Sequence, residues 1–157
     1  MKPKVLWIED GARFELASLC GPVFYKGFCD LTLAEDVSTA VDHLEADEWN
    51  ALIVDIRLPP GASPHWRRLY RQTGSDKVHA QLGLKLMEWL VRASPEICPD
   101  APPAWIRPER IGVFTVESWR EVGDHLKPLG IEIFQQKLAN LPDTILEEII
   151  GKLLATP

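Results

Sequence analysis

No run of apolar residues in this chain of 157 approaches the ~20 that a bilayer span requires. The opening MKPKVLWIED turns acidic before the core of a signal peptide could form, so residence in the cytoplasm is the expectation. Cysteine is scarce. Cys20, Cys29 and Cys98 are odd in number, share no CxxC spacing and have no His at zinc-ligand spacing, which excludes a disulfide framework or zinc site and leaves reduced, buried thiols. Positive charge is in deficit: 17 Lys and Arg against 23 Asp and Glu give a net charge of −6, which argues against nucleic-acid or anionic-membrane binding. A Gly-rich nucleotide loop and a Ser nucleophile elbow are also missing, and the four His are scattered.

What is present is the balance of one soluble domain over 1–157, 46% apolar and 25% charged. Lys4 to Ile8 and Ala51 to Val54 are short apolar runs bounded by acid, which read as strands buried on both faces. Leu31 to Ala34, Ile111 to Phe114 and Ile131 to Phe134 read alike. Helical spacing falls between them: Phe14, Ala17 and Ser18; Val37, Val41 and Leu44; and Gly83 to Ala93. Another helix opens at the capping box Ser118 to Glu121, and the last starts at Pro142 and carries Ile145, Leu146, Ile149, Ile150 and Leu153. Alternating strands and helices predict an α/β, doubly wound, flavodoxin-like sheet of parallel strands in the order 2-1-3-4-5, with helices on both faces. Ligands of such sheets bind beyond the carboxyl ends of strands 1 and 3.

Glu9 and Asp10 end the first of these strands and Asp55 the third, so three carboxylates converge there. Carboxylates held together repel unless a cation sits among them, and hard oxygen ligands favour Mg²⁺. Acids also decorate loop starts and helix N-termini for the dipole alone, and the pair Glu9-Asp10 is equally open to that reading. Thr115 ends the fourth strand and Lys137 follows the fifth, adding a hydroxyl and a cation to the same edge.

In its acidic pair (WIED), the context IVDIRLPP with Pro59 four residues past Asp55, the hydroxyl of VFT and the Lys of FQQK, the sequence resembles the receiver domains of bacterial response regulators over nearly its whole length. The intervals of 45 residues from Asp10 to Asp55 and 22 from Thr115 to Lys137 are of the usual kind. The resemblance implies that Glu9, Asp10, Asp55 and the backbone carbonyl of Arg57 hold Mg²⁺. Asp55 would take a phosphoryl group from a sensor histidine kinase or phosphotransfer protein, while Lys137 and Thr115 hold its oxygens. Thr115 and Phe134 would form the switch that alters binding of a downstream protein target, with plain core packing as the other reading of Phe134. The chain is read as a stand-alone receiver, because few residues follow the last helix. Direct DNA binding is not expected, and dimerisation through the face of the last two helices is an expectation by analogy. The alternative function is a receiver-like interaction module that takes no phosphate. Turnover of an external substrate is not expected, since dehalogenase-type phosphatases need a second Asp where Arg57 stands.

Several positions depart from the family pattern. Val116 replaces a small residue and Leu138 replaces a proline that follows a cis peptide. Arg57 and Glu117, each two residues past a site residue, are expected to pair across the entrance. The connection from Asp55 to Gly83 is long, with an insertion at about 60–81, HWRRLYRQ within it, and four bases (Arg67, Arg68, Arg71, Lys77) against Asp76. Trp66 and Tyr70, four apart, suit a short amphipathic helix. A solvated loop is the expected form, and a lid or a docking arm for an acidic partner are the functional alternatives. The connection at about 95–108 holds five prolines and Trp105, and is expected to be an irregular strap.

Overall fold

The computed structural model describes residues 1–72 and 81–157. Its centre is formed by the runs whose side chains have no polar face: β1 (Lys4–Ile8), β3 (Ala51–Val54) and β4 (Ile111–Thr115) are buried almost throughout. β2 (Asp30–Ala34) and β5 (Ile133–Gln136) are half-buried and form the edges. All four ladders are parallel and the order is β2-β1-β3-β4-β5, the predicted one. Winding therefore reverses between β1 and β3, and the carboxyl ends of these strands open on one crevice.

Two apolar layers sandwich the sheet. On one face α1 (Cys20–Lys26) and α6 (Ile145–Ala155) pack over Val5, Trp7, Ile53 and Phe114. On the other, α2 (Val37–Ala46), α4 (Leu82–Arg92) and α5 (Trp119–Leu126) cover Leu6, Ile8, Leu52 and Val54. Asp36 caps α2 by accepting from the Thr39 amide at 2.7 Å, and Ser118 caps α5 by accepting from that of Glu121 at 3.3 Å. The three thiols are free and buried. No helix among the described residues is long and apolar enough to cross a membrane.

Three predicted elements shift. The expected first helix around Phe14, Ala17 and Ser18 is a run of turns, with the amides of Phe14 and Leu16 both donating to the Gly11 carbonyl, and α1 begins only at Cys20. The last strand starts at Ile133 and not at Ile131, whose amide closes the preceding turn on Leu126. Pro142 precedes the last helix, which opens at Ile145 with a bond back to the Pro142 carbonyl.

Over residues 60–72, the described part of the insertion, the structure corrects the expectation of a solvated loop; 73–80 lie outside the described residues. Pro64–Arg71 forms a helix, α3, that buries Trp66 and Leu69 and exposes Arg67, Arg68 and Arg71. Trp66 meets Trp89 of α4 edge to face at 6.3 Å. The loop before α3 supplies the start of α2 with partners: the amides of Val37 and Ser38 donate to the carbonyls of Pro59 and Pro60, each at 3.1 Å. The Ser63 amide donates to the Ser38 hydroxyl at 2.9 Å. Gly61 sits at φ +78°, and a Cβ there would lie 2.3 Å from an Asp36 carboxylate oxygen. The aromatic edge is thus spent on the core, which removes it from a docking arm; the basic residues of the same helix remain outside. Asp76 and Lys77 lie outside the described residues. The proline-rich connection is an irregular strap, with Trp105 half-buried against the core.

Candidate functional site

Glu9 follows β1 directly, and its backbone amide continues the ladder by donating to the Ala34 carbonyl at 2.8 Å. Asp55 follows β3 and is held in the same way, by its amide to the Ile8 carbonyl at 3.0 Å. Lys137 follows β5, and its amide donates to the Thr115 carbonyl at 2.7 Å. Backbone pairing, and not the flexible side chains, therefore sets the three residues side by side.

Glu9 is 1% exposed and Asp55 3%, whereas Asp10 points to solvent. One carboxylate oxygen of each lies within 4.8 Å of the others, a spacing that a single cation spans. The Lys137 ammonium bonds Glu9 and reaches an Asp55 oxygen at 3.1 Å. The other Asp55 oxygen is buried and has no hydrogen-bond partner among the described residues. Buried acceptors are costly to leave unmet, so this oxygen calls for a donor or a cation.

The electrostatics have the same cause. Burial, the neighbouring charge of Asp55 and the contact with Asp10 push the Glu9 carboxyl up to about 8, with Lys137 only partly offsetting them. Burial works to lower the Lys137 ammonium, but Asp55 and then Glu9 outweigh it and hold its pKa above the ordinary value. Lys137 stays charged and one carboxyl of the cluster resists ionisation, a conflict that a divalent ion would remove.

Thr115 ends β4 fully buried, and its hydroxyl accepts from the Glu117 amide at 3.4 Å. Phe134 of β5 is half-buried and meets Trp119 edge to face at 5.3 Å. Thr115 stands opposite Gln136 in the β4–β5 ladder, which brings Thr115 and Lys137 to the same end of the sheet. Val116 and Leu138 flank that end, both exposed, and no peptide bond among the described residues is cis.

The expected pair across the entrance is formed: Arg57 Nε lies 2.5 Å from a Glu117 oxygen. Glu117 is 3% exposed. Burial raises its pKa, but Arg57, Glu121 and Gln81 together hold it below the ordinary value. Sequence reasoning missed two points here. Nothing in the spacing marked Glu9 as the buried acid and Asp10 as the exposed one, and the bond from Lys137 to Glu9 was not foreseen. Alternation along the strand could not rank them, because β1 is buried on both faces: Ile8, in parity with Asp10, lies as deep in the core as Trp7, in parity with Glu9.

No protein-family model matches the chain, and no curated protein matches it in sequence. Solved structures do match in fold. The receiver domain of a putative Luxo repressor from Vibrio parahaemolyticus superposes with a TM-score of 0.62 at 19% identity, covering 98% of this chain and 91% of that one. A response regulator from Thermotoga maritima gives 0.60 at 13% identity, with 99% and 100% covered. A response regulator from Burkholderia pseudomallei, solved with a phosphorylated aspartic acid and a calcium ion, gives 0.57 at 21% identity, with 97% and 66% covered. Sheet order, crevice and long-range similarity agree: the chain has the fold of the response regulator receiver domains.

Proposed function

We propose that this chain is a phosphoacceptor receiver of a two-component phosphorelay, in which Mg²⁺-dependent phosphorylation of Asp55 switches protein–protein interactions. The observation that supports it most is the buried Asp55 carboxylate, with one oxygen on Lys137 and the other without a partner, between two further acids at the sheet's reversal point. Glu9, Asp10, Asp55 and the backbone carbonyl of Arg57 would hold the ion, and the donor set fits: oxygen only, partly open to solvent, with room for water and phosphate. When bound, Mg²⁺ would neutralise charge on the carboxylates and on the incoming phosphoryl oxygens.

The chain's own residues do the rest. An Asp55 oxygen forms the new O–P bond as the P–N bond of a donor phosphohistidine breaks, its electron pair leaving on the imidazole. The transition state is loose, so placement and charge dominate over bond-making. Lys137 supplies a fixed positive charge within hydrogen-bond reach of Asp55, and Thr115 a hydroxyl for one phosphoryl oxygen. Engagement of Thr115 would couple to Phe134, whose ring already borders Trp119 on α5, and so to the face of α5, β5 and α6. The donor would be a sensor histidine kinase or phosphotransfer protein, and the output a change of protein partner.

Intact-mass measurement after incubation with acetyl phosphate tests the reading. Wild type gains one phosphoryl group only with Mg²⁺ present, and Asp55→Ala gains none. No gain in wild type would favour the alternative, a receiver-like module that binds its partners without phosphate.

A further inference from the structure

The end of the sheet opposite Asp55 carries a second concavity. The strap over 95–108 turns back across the amino-terminal ends of β3 and β4 and leaves a cavity of about 310 Å³. That is the small end of the range for ligand pockets. Trp49, Trp105, Arg107 and Arg110 line it, with Glu48 and Asn50 beside them. Asn50 and Asp55 bracket the four residues of β3, which places the two sites roughly 16 Å apart along the strand.

The polar groups here are incompletely matched. Arg110 donates through one terminal nitrogen to the Asn50 carbonyl at 3.3 Å, but its Nε–H is buried and has no partner among the described residues. A buried guanidinium donor without a partner is costly, and an oxygen acceptor brought up to it satisfies it. Arg107 lies at the rim with half its side chain exposed, donating to Pro157 O at 2.6 Å and standing 3.6 Å from Glu109. It already grips oxygen acceptors and has further donors in its fork. Trp49 is held in place by its own Nε1–H, which donates to the His43 carbonyl at 2.9 Å. Trp49, the half-buried Trp105 and two arginines around one small cavity match a flat ring that bears an acid group.

We propose that this cavity is a binding site for a small planar anion: an aromatic ring carrying one carboxylate or phosphate. The ring lies against Trp105, beside the buried Trp49, the anionic oxygens take the Arg110 Nε–H and the Arg107 fork, and Glu48 accepts a ring N–H where one is present. None of these residues belongs to the Asp55 cluster, so the site stands whether or not Asp55 takes phosphate.

Titration calorimetry on the full chain tests it with two probes, indole-3-acetate and adenosine monophosphate, against their uncharged counterparts indole and adenosine and against inorganic phosphate. One-to-one binding of at least one acid is expected, tenfold or more tighter than its uncharged counterpart and than phosphate; which acid binds distinguishes carboxylate from phosphate recognition. Arg110→Gln and Trp105→Leu should each weaken that binding at least tenfold. Because Trp105 packs against the core, Arg107→Gln at the exposed rim serves as the variant that leaves folding intact, and nitrogen-15 spectra of wild type should show the Arg110 Nε–H and Trp105 Nε1–H signals moving on titration. Absence of binding by both acids at millimolar concentration, equal binding of phosphate alone, or full affinity in Arg107→Gln together with unmoved Arg110 and Trp105 signals would overturn the assignment.

Discussion

At the scale of single residues, the contact with the clearest kinetic consequence is the pair of Arg57 and Glu117. Glu117 is buried while the Arg57 side chain is 40% exposed, so the two partners are unequal. Removing Arg57 leaves a desolvated carboxylate with a weaker set of donors, whereas removing Glu117 returns a guanidinium to water. Arg57→Ala should therefore cost about 1–2 kcal/mol and Glu117→Ala less than about 1 kcal/mol, read from urea melts. On the proposed function the pair flanks the phosphoryl group, and both variants should shorten the lifetime of phosphorylated Asp55. An unchanged dephosphorylation rate in both variants removes the shielding role. Single-residue reasoning succeeded with this pair because each partner lies two residues beyond a strand end, where direction is set. It failed to rank Glu9 against Asp10, since β1 is buried on both faces and alternation does not tell which of two adjacent acids turns inward where the strand ends.

Elements rather than residues decide how closely Asp55 is held. α4 enters against the end of β3 at Gly83, whose amide donates to the Ile56 carbonyl at 2.9 Å. A Cβ at Gly83 would stand 2.0 Å from the Asp55 carbonyl oxygen and 2.6 Å from the Ile56 Cα, and backbone cannot rotate away as a side chain can. Gly83→Ala should cost about 3 kcal/mol, the upper part of the overpacking range, and also lower phosphorylation of the folded fraction by displacing Asp55. A folded Gly83→Ala variant of unchanged stability and phosphorylation rate would contradict this close approach. Trp66 makes the corresponding case for α3. Its ring is buried against Trp89, so Trp66→Ala should lose about 3–5 kcal/mol in chemical denaturation, while a mobile loop would lose almost nothing. The strands β1 and β3 were legible to the residue, because a strand buried on both faces has an uninterrupted apolar run and an acid where it ends. α3 was harder to foresee: three arginines and a tyrosine within HWRRLYRQ suggest a solvated face, and only the packing of Trp66 and Leu69 reveals the buried one. The first helix failed for the opposite reason, since Phe14 is apolar yet 76% exposed.

For the molecule as a whole, the site costs stability that a metal ion would restore, and pH separates the two effects. Glu9 has its pKa pushed up to about 8 from an ordinary 4.5, so between those values the folded chain binds more protons than the unfolded one. Stability from this group is complete below pH 4.5 and is lost progressively as pH rises toward 8. Lys137, raised above 10.5, contributes stability lost only in strong alkali, and Glu117, held below 4.5, contributes stability lost only in acid. Neither competes in the window between. The metal-free protein should therefore melt at a lower temperature at pH 8 than at pH 5.5. Mg²⁺ requires the ionised carboxylates, so its stabilisation should be small at pH 5.5 and grow toward pH 8, offsetting the loss. Glu9→Gln keeps a neutral side chain in the same space: it should flatten the decline between pH 5.5 and 8 and weaken the response to Mg²⁺. Calorimetric melts of wild type and Glu9→Gln, with EDTA or with 10-millimolar-range Mg²⁺, decide the matter. A wild-type melting temperature that climbs from pH 5.5 to 8 without metal, or a Mg²⁺ response equal at both pH values, would mean that the buried carboxylates are not in conflict.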